Sequence, residues 1–167
     1  MISSLAIKKI KLESLILISL IAVSIISPIA VHFVGLKGTE FLPIFFALSI
    51  GTFILSPIYL IALSILSPLV NYLIFQMPNV PILYFLMFEG IVFAIVITLM
   101  KNRNISFILV SLFALILGRL SSVILTFIFD VNINAWLNSV ILGYKGVIIN
   151  WIFASIMYLI LKNKYNE

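Results

Sequence analysis

The sequence predicts an all-α integral membrane protein, a single domain of six transmembrane helices with both termini in the cytoplasm. Of the 167 residues, 64% are hydrophobic and 9% are charged, and the mean hydropathy of +1.35 is far above that of soluble proteins. Several apolar runs are long enough to cross a hydrocarbon core of about 30 Å. The alternating pattern of a membrane β-barrel does not occur in them.

Spans one to three occupy the first half of the chain. Three lysines precede span one, and no small-residue cleavage site follows its apolar run, so we expect a retained helix and not a signal peptide. A flexible polar connector is predicted over residues 35–42. Pro43 starts span two at a favourable first helical position, and Ser56-Pro57 separates span two from span three.

Spans four to six follow a proline-rich turn. Pro78 and Pro81 lack backbone donors and push Asn79 and Val80 toward extended geometry, so the helix cannot continue through this turn. A second polar loop is predicted over residues 130–138, where Trp136 suits the membrane interface. The predicted spans of the single domain 1–167 cover about residues 12–34, 43–55, 58–75, 82–100, 105–129 and 137–161.

The distribution of basic residues predicts the orientation. Seven of the ten lysines and arginines fall on one face of a six-span arrangement, and the positive-inside rule makes that face cytoplasmic. The net charge of +5 therefore indicates anchoring at the cytoplasmic surface of the membrane and not binding to nucleic acid. The seven residues are Lys8, Lys9, Lys11, Lys101, Arg103, Lys162 and Lys164.

Three charged residues are predicted to share one layer inside the membrane. Counted along regular helices from their outer ends, Glu89, Lys145 and Arg119 lie roughly 10, 12 and 15 Å deep on spans four, six and five. Charged residues inside a membrane are costly and usually face the bundle interior with a partner. They predict a polar pocket open to the outside, which Asn150 on span six would extend.

This layer allows two interpretations. If all three groups are ionised, one positive charge is in excess, and an anionic ligand bound by Arg119 and Lys145 would balance it. A carboxylate-bearing vitamin, of the nicotinate or pantothenate kind, is the hypothesis that follows. Alternatively, Glu89 and Arg119 form a purely structural pair, and Lys145 extends outward along its own apolar stem.

Enzymatic and metal-dependent functions find little support in the sequence. There are no cysteines, and no HExxH, GxSxG or P-loop motif occurs. His32 is the only histidine, and Glu40 is the one plausible partner for it as a metal ligand, so a metal site is not expected. No second carboxylate is expected inside the membrane to support acid/base chemistry with Glu89. We therefore expect neither catalysis nor a cofactor.

A series of short motifs occurs in a definite order between residues 28 and 119. It resembles the series found in the substrate-binding S components of energy-coupling factor (ECF) vitamin transporters. The motifs are His32-Phe33 with Gly35, Leu42-Pro43, Ser56-Pro57, Ser67-Pro68, Met77-Pro78, Pro81, Met87, Glu89 and Gly118-Arg119.

The resemblance implies a six-helix protein whose first loop folds over a vitamin site that faces outward. Such a protein delivers its vitamin by docking onto a membrane coupling subunit that two ABC ATPases drive. Spans one to three are the predicted docking side, with small residues at Ala47 and Gly51 and at Ser19 and Ala22. The candidate vitamin-binding residues are His32, Lys37, Glu40, Glu89, Arg119, Lys145 and Asn150.

A different class of function also fits the composition. Six-span scaffold proteins of cell-envelope assembly, of the MreD type, have a similar length and hydrophobicity. A scaffold has no need of three buried charges in one layer. A ligand cavity between spans four, five and six would favour transport, and a tightly filled bundle would favour the scaffold.

Overall fold

The computed structural model describes residues 4–35, 38–100, 103 and 105–165. These residues form helices joined by short connections, and no strand occurs among them. The helices are α1 Ser4–Phe33, α2 Gly38–Phe41, α3 Ile44–Ile54, α4 Pro57–Phe75, α5 Ile82–Met100, α6 Phe107–Ser121, α7 Val123–Ile128, α8 Ile133–Leu142 and α9 Tyr144–Tyr165.

The helix lengths are compatible with a multi-pass membrane protein. In the part of the chain that the structure describes, four helical stretches are long and apolar enough to cross a membrane, and α8 with α9 makes a fifth if that bent pair is one span. Helix α3 has 11 residues, which is about 16 Å at 1.5 Å per residue and shorter than a hydrocarbon core. The structure thus confirms an all-helical membrane-type chain, while the count of six spans stays a prediction.

Helix α3 lies at the centre of the bundle, in contact with α1, α4, α5 and α9. Ala47 is fully buried, and a Cβ built on Gly51 would lie 3.0 Å from Cδ2 of Leu63 in α4. The small residues of α3 therefore serve packing inside the bundle and not a docking face. Ser19 and Ala22 of α1 are exposed.

Two ends of the bundle can be distinguished by their aromatic contacts. At one end Tyr84, early in α5, stacks on Phe129, just after α7, with ring centroids 5.1 Å apart. We call this the α8 end, because α8 follows directly. At the other end the Phe107 and Tyr158 rings stack at 5.2 Å, where α6 begins and α9 approaches its last turns.

The proline inside α1 removes one helical hydrogen bond, and a side chain of α4 compensates for the loss. Pro28 has no N–H for the carbonyl of Ser24, four residues earlier. Asn71 donates from Nδ2 to that carbonyl at 3.1 Å and to the carbonyl of Ser67 at 2.9 Å. A freed carbonyl in a membrane needs such a partner, so Asn71 ties α1 to α4.

The last two predicted spans are each interrupted. The stretch 105–129 breaks at Ser122, between α6 and α7. The predicted loop over 130–138 contains most of α8, because the side chain of Asn132 caps that helix and accepts a hydrogen bond from Asn134 N at 2.8 Å. Helices α8 and α9 meet at Gly143 with a bend of 44°. Both breaks lie at the α8 end.

A second carboxylate, that of Glu13, is also buried, but it does not lie beside Glu89. Glu13 of α1 is 6% exposed, and its Oε2 accepts hydrogen bonds from Oγ and N of Ser56 at 2.5 and 3.4 Å. Ser56 directly precedes α4, so the negative charge lies near the positive N-terminal end of that helix. Helix α4 begins at the end of the bundle opposite α8, where Ser56 and Glu13 lie. Helix α5 begins at the α8 end, and Glu89 lies in its first half. Glu13 and Glu89 therefore lie near opposite ends of the bundle.

Candidate functional site

Glu89 and Arg119 form a buried ion pair between α5 and α6, so the two lie together as the sequence predicts. Nη1 of Arg119 donates to both carboxylate oxygens of Glu89, at 2.9 and 2.8 Å. The side chains of Glu89 and Arg119 are 2% and 11% exposed. Nη2 of Arg119 donates to the carbonyl of Ser139 in α8 at 3.0 Å, so the guanidinium links three helices.

Ser122 and Trp136 complete the surroundings of the carboxylate. The Ser122 hydroxyl lies 2.9 Å from Oε1 of Glu89 and 2.7 Å from the carbonyl of Arg119, and its single hydrogen can serve one of them at a time. Trp136 donates from Nε1 to Oγ of Ser122 at 3.0 Å. The break after α6 puts Ser122 in this position. A chain of donors thus runs from Trp136 through Ser122 to Glu89.

Two glycines allow the helices around this pair to approach each other. A Cβ built on Gly118 would lie 2.8 Å from the backbone oxygen of Glu89, so α5 and α6 are in backbone contact there. A Cβ on Gly143 would lie 2.7 Å from Nη2 of Arg119 and 3.3 Å from its Nε. The absence of a side chain at Gly143 therefore leaves room for the guanidinium.

Lys145 does not join the predicted charged layer. Its side chain is 46% exposed, and its Nζ lies 3.0 Å from Oε2 of Glu40. The predicted depth requires one continuous span six, but the bend at Gly143 places Lys145 in the first turn of a separate helix. The predicted excess of one buried positive charge is therefore wrong: Arg119 is paired with Glu89, and Lys145 with Glu40.

The predicted connector before α3 folds into the bundle and lies against α9. Glu40 belongs to the short helix α2, which contacts α1, α8 and α9. A Cβ built on Gly146 would lie 2.7 Å from the backbone oxygen of Glu40. Asn150 is fully buried, and its Nδ2 lies 3.3 and 3.4 Å from the carbonyls of Phe41 and Leu42 and 2.8 Å from that of Gly146. We call residues 38–42 the inserted segment.

The two remaining candidates are not brought to the buried pair. His32 is exposed at the end of α1, and no hydrogen bond or ion pair joins its side chain to another candidate among the residues that the structure describes. Lys37 lies outside the described residues. No group of three metal-ligating side chains occurs in the described ranges.

Two open apolar crevices lie on the outside of the bundle. One, of about 360 Å³, is bordered by Val23 and Phe46 of α1 and α3. The other, of about 370 Å³, is bordered by Leu109 and Phe113 of α6. Neither includes Glu89, Arg119 or Asn150 in its lining, so these crevices are separate from the candidate site.

Some residues of the site carry no sequence signal of their own. Ser122, Trp136 and Ser139 were not predicted to contact Glu89 or Arg119, because their positions depend on the breaks at Ser122 and Gly143. Gly143 itself, between an apolar run and Tyr144-Lys145, was the one available sign that span six is interrupted.

The comparisons with known proteins give no relatives. No protein-family model matches the sequence, and no curated protein and no solved structure is detectably similar to it.

Proposed function

We propose that this chain is the substrate-binding S component of an ECF-type importer in the plasma membrane of a prokaryote. It binds a small vitamin or vitamin precursor from outside and passes it inward after docking onto a coupling subunit with two ABC ATPases. In this proposal α3 is a short second span, the chain has six spans, and the α8 end faces outward.

The observation that carries the proposal is the inserted segment. A polar connector between two membrane helices would ordinarily stay at the membrane surface. Here its backbone lies against Gly146 and reaches Asn150, inside the bundle. Its charged end is held by the partly exposed pair of Glu40 and Lys145. A segment whose backbone lies inside the bundle and whose charged side chain is held by a partly exposed pair fits a cover over a binding site.

The exposure of α1 supports docking of a membrane partner. In α1, 11% of the residues in the apolar stretch are buried, against 33% to 39% in the other three long stretches. Ser19 and Ala22 lie on this open helix, and small residues let a partner helix approach closely. We assign the docking surface to α1 around these two residues.

A structural scaffold of cell-envelope assembly is the second candidate, and one observation favours it. Both oxygens of the Glu89 carboxylate contact Nη1 of Arg119, and Ser122 lies against one of them, as in a pair that only holds helices together. In a scaffold the same network would set the angle between α5, α6 and α8 and bind nothing.

Capture of the full-length chain from the cells that naturally express it distinguishes the two candidates. Affinity-tagged protein in mild detergent should bring down one membrane coupling protein and ATP-binding subunits, identified by mass spectrometry. Ala22→Leu should reduce their recovery at least tenfold because the added side chain blocks close helix approach.

Ala135→Leu is the matched control, because it makes the same change at an exposed position of α8. It should leave recovery of the ATPases unchanged. Recovery of cell-wall synthesis proteins in place of ATPases would contradict the transporter proposal and support the scaffold.

A further inference from the structure

At the candidate site, Arg119 and Lys145 are each already paired with a carboxylate among the described residues. Arg119 has its charge neutralised by Glu89 at 2.8 Å, and Lys145 by Glu40 at 3.0 Å. An anionic ligand would have to compete with a carboxylate for either cation. A cationic ligand would have to displace a guanidinium or an ammonium group. The balance of charge therefore favours an uncharged ligand.

Four buried polar side-chain atoms have no hydrogen-bond partner among the described residues, and two of them belong to residues that lie beside or in the first turns of α9. These two are Nε of Arg119, which is a donor, and Oδ1 of Asn150, which is an acceptor. Asn150 is completely buried. Buried polar atoms are nearly always hydrogen-bonded, so a donor and an acceptor left open in one region suggest a molecule that supplies both partners.

The two atoms lie along one face of α9. Gly143, Gly146 and Asn150 are separated by three and four residues, which places them on the same side of a helix. Nε of Arg119 lies beside Gly143, and the amide of Asn150 lies seven residues further, about 10 Å along the axis. Between them α9 has no side chain at Gly146, where the backbone of the inserted segment lies close.

We propose that the ligand of this chain is a neutral polar molecule of small size that spans Arg119 and Asn150. One end presents a hydrogen-bond acceptor, such as a carbonyl or ring nitrogen, to Nε of Arg119. The other end presents an N–H or O–H to Oδ1 of Asn150. This inference rests on the proposed transport function and replaces a carboxylate-bearing vitamin with an uncharged one.

The test uses the full-length protein in detergent and a water-soluble extract of cells, filtered to small molecules, as the probe. The protein is equilibrated with the extract at pH 7, washed and denatured, and the released compounds are identified by mass spectrometry. A matched membrane protein of unrelated function gives the background. The expected result is enrichment of a compound that is neutral at pH 7 and carries both an acceptor and an N–H or O–H donor.

Two variants test the assignment of Asn150. Asn150→Leu removes the acceptor and should lower retention of the enriched compound at least tenfold. Ser49→Ala is the control, because the Ser49 hydroxyl is also buried and without a partner among the described residues but belongs to α3. It should retain the compound as the wild type does. If Asn150→Leu does not fold, the inference is tested by the compound that the wild type binds: its charge at pH 7 and its hydrogen-bonding groups.

Each other outcome overturns the inference. An enriched compound that is anionic or cationic at pH 7 contradicts the ligand class and leaves the transport proposal standing. Equal retention by Asn150→Leu contradicts the assigned contact. If no compound is enriched above background, the proposed ligand is contradicted. The capture experiment with the ATPases then shows separately whether the transport proposal also fails.

Discussion

Two glutamates at the α8 end each meet one cation, but the two pairs are built differently. Glu89 is 2% exposed in its side chain and is held by Nη1 of Arg119, which contacts both carboxylate oxygens, and by the Ser122 hydroxyl. Glu40 makes a single contact with Lys145, whose side chain is 46% exposed. A buried charge that loses its partner is costly, whereas an exposed pair exchanges its contact for water. The first pair therefore fixes helices, and the second can open and close.

Removal of Arg119 should cause the largest loss of stability, because it breaks the buried pair. Arg119→Ala leaves Glu89 buried without a cation, and we expect a loss of about 3–5 kcal/mol in the free energy of unfolding. Unfolding of purified protein in mixed micelles by increasing SDS measures it. The double variant Glu89→Leu/Arg119→Met should recover most of this loss, since no lone charge remains. A double variant no more stable than Arg119→Ala would contradict the importance of the unpaired charge.

Ser122→Ala should have the next largest effect. It removes a hydrogen bond to an ionised group and leaves Nε1 of Trp136 without its acceptor, and we expect a loss of about 1.5–3 kcal/mol. Ser121→Ala is the matched control, because the Ser121 hydroxyl bonds the carbonyl of Gly118 in its own helix. Equal losses in the two variants would show that Ser122 does not act through Glu89.

Substitutions at Gly118 and Gly143 compare the cost of a new methyl group against rigid backbone with its cost against a flexible side chain. In Gly118→Ala the new methyl group meets the backbone of α5, so we expect a loss of about 1–3 kcal/mol. In Gly143→Ala it meets the end of the Arg119 side chain, which can move, so the loss should be smaller. SDS unfolding of both variants gives the order, and a larger loss at Gly143 would contradict the backbone contact between α5 and α6.

Lys145→Ala should have the smallest effect on stability. Its pair with Glu40 is exposed to water, so the midpoint of thermal unfolding should change little and the change should shrink further at high salt. The variant should instead increase exchange of backbone amide hydrogens in the inserted segment, measured by mass spectrometry. Unchanged exchange in residues 38–42 would contradict the role of this pair as the anchor of the segment.

The sequence predicted those parts of the fold that local chemistry determines. The spans predicted over 58–75 and 82–100 agree with α4 and α5, because Pro57, Pro78 and Pro81 bound them by removing backbone donors. The proximity of Glu89 and Arg119 was also predictable, since two opposite charges at similar depth in a membrane are expected to pair.

The parts that the sequence did not predict depend on contacts between distant residues. Glu13 follows three lysines closely, and nothing in its local sequence indicates burial, yet it is buried against Ser56, 43 residues away. The predicted interior position of Lys145 requires one regular helix, and the bend at Gly143 turns the side chain outward. Neither outcome can be read from local hydropathy.

The placement of the α8 end outside the cell is the claim on which the site and the proposed transport both depend. It can be tested directly because the natural sequence contains no cysteine. Single cysteines replace Gly38, Asn102 and Glu167 in turn, and intact cells are treated with a thiol reagent that does not cross membranes. We predict labelling of Gly38→Cys in intact cells and of Asn102→Cys and Glu167→Cys only after lysis. Labelling of Asn102→Cys in intact cells would contradict the six-span topology.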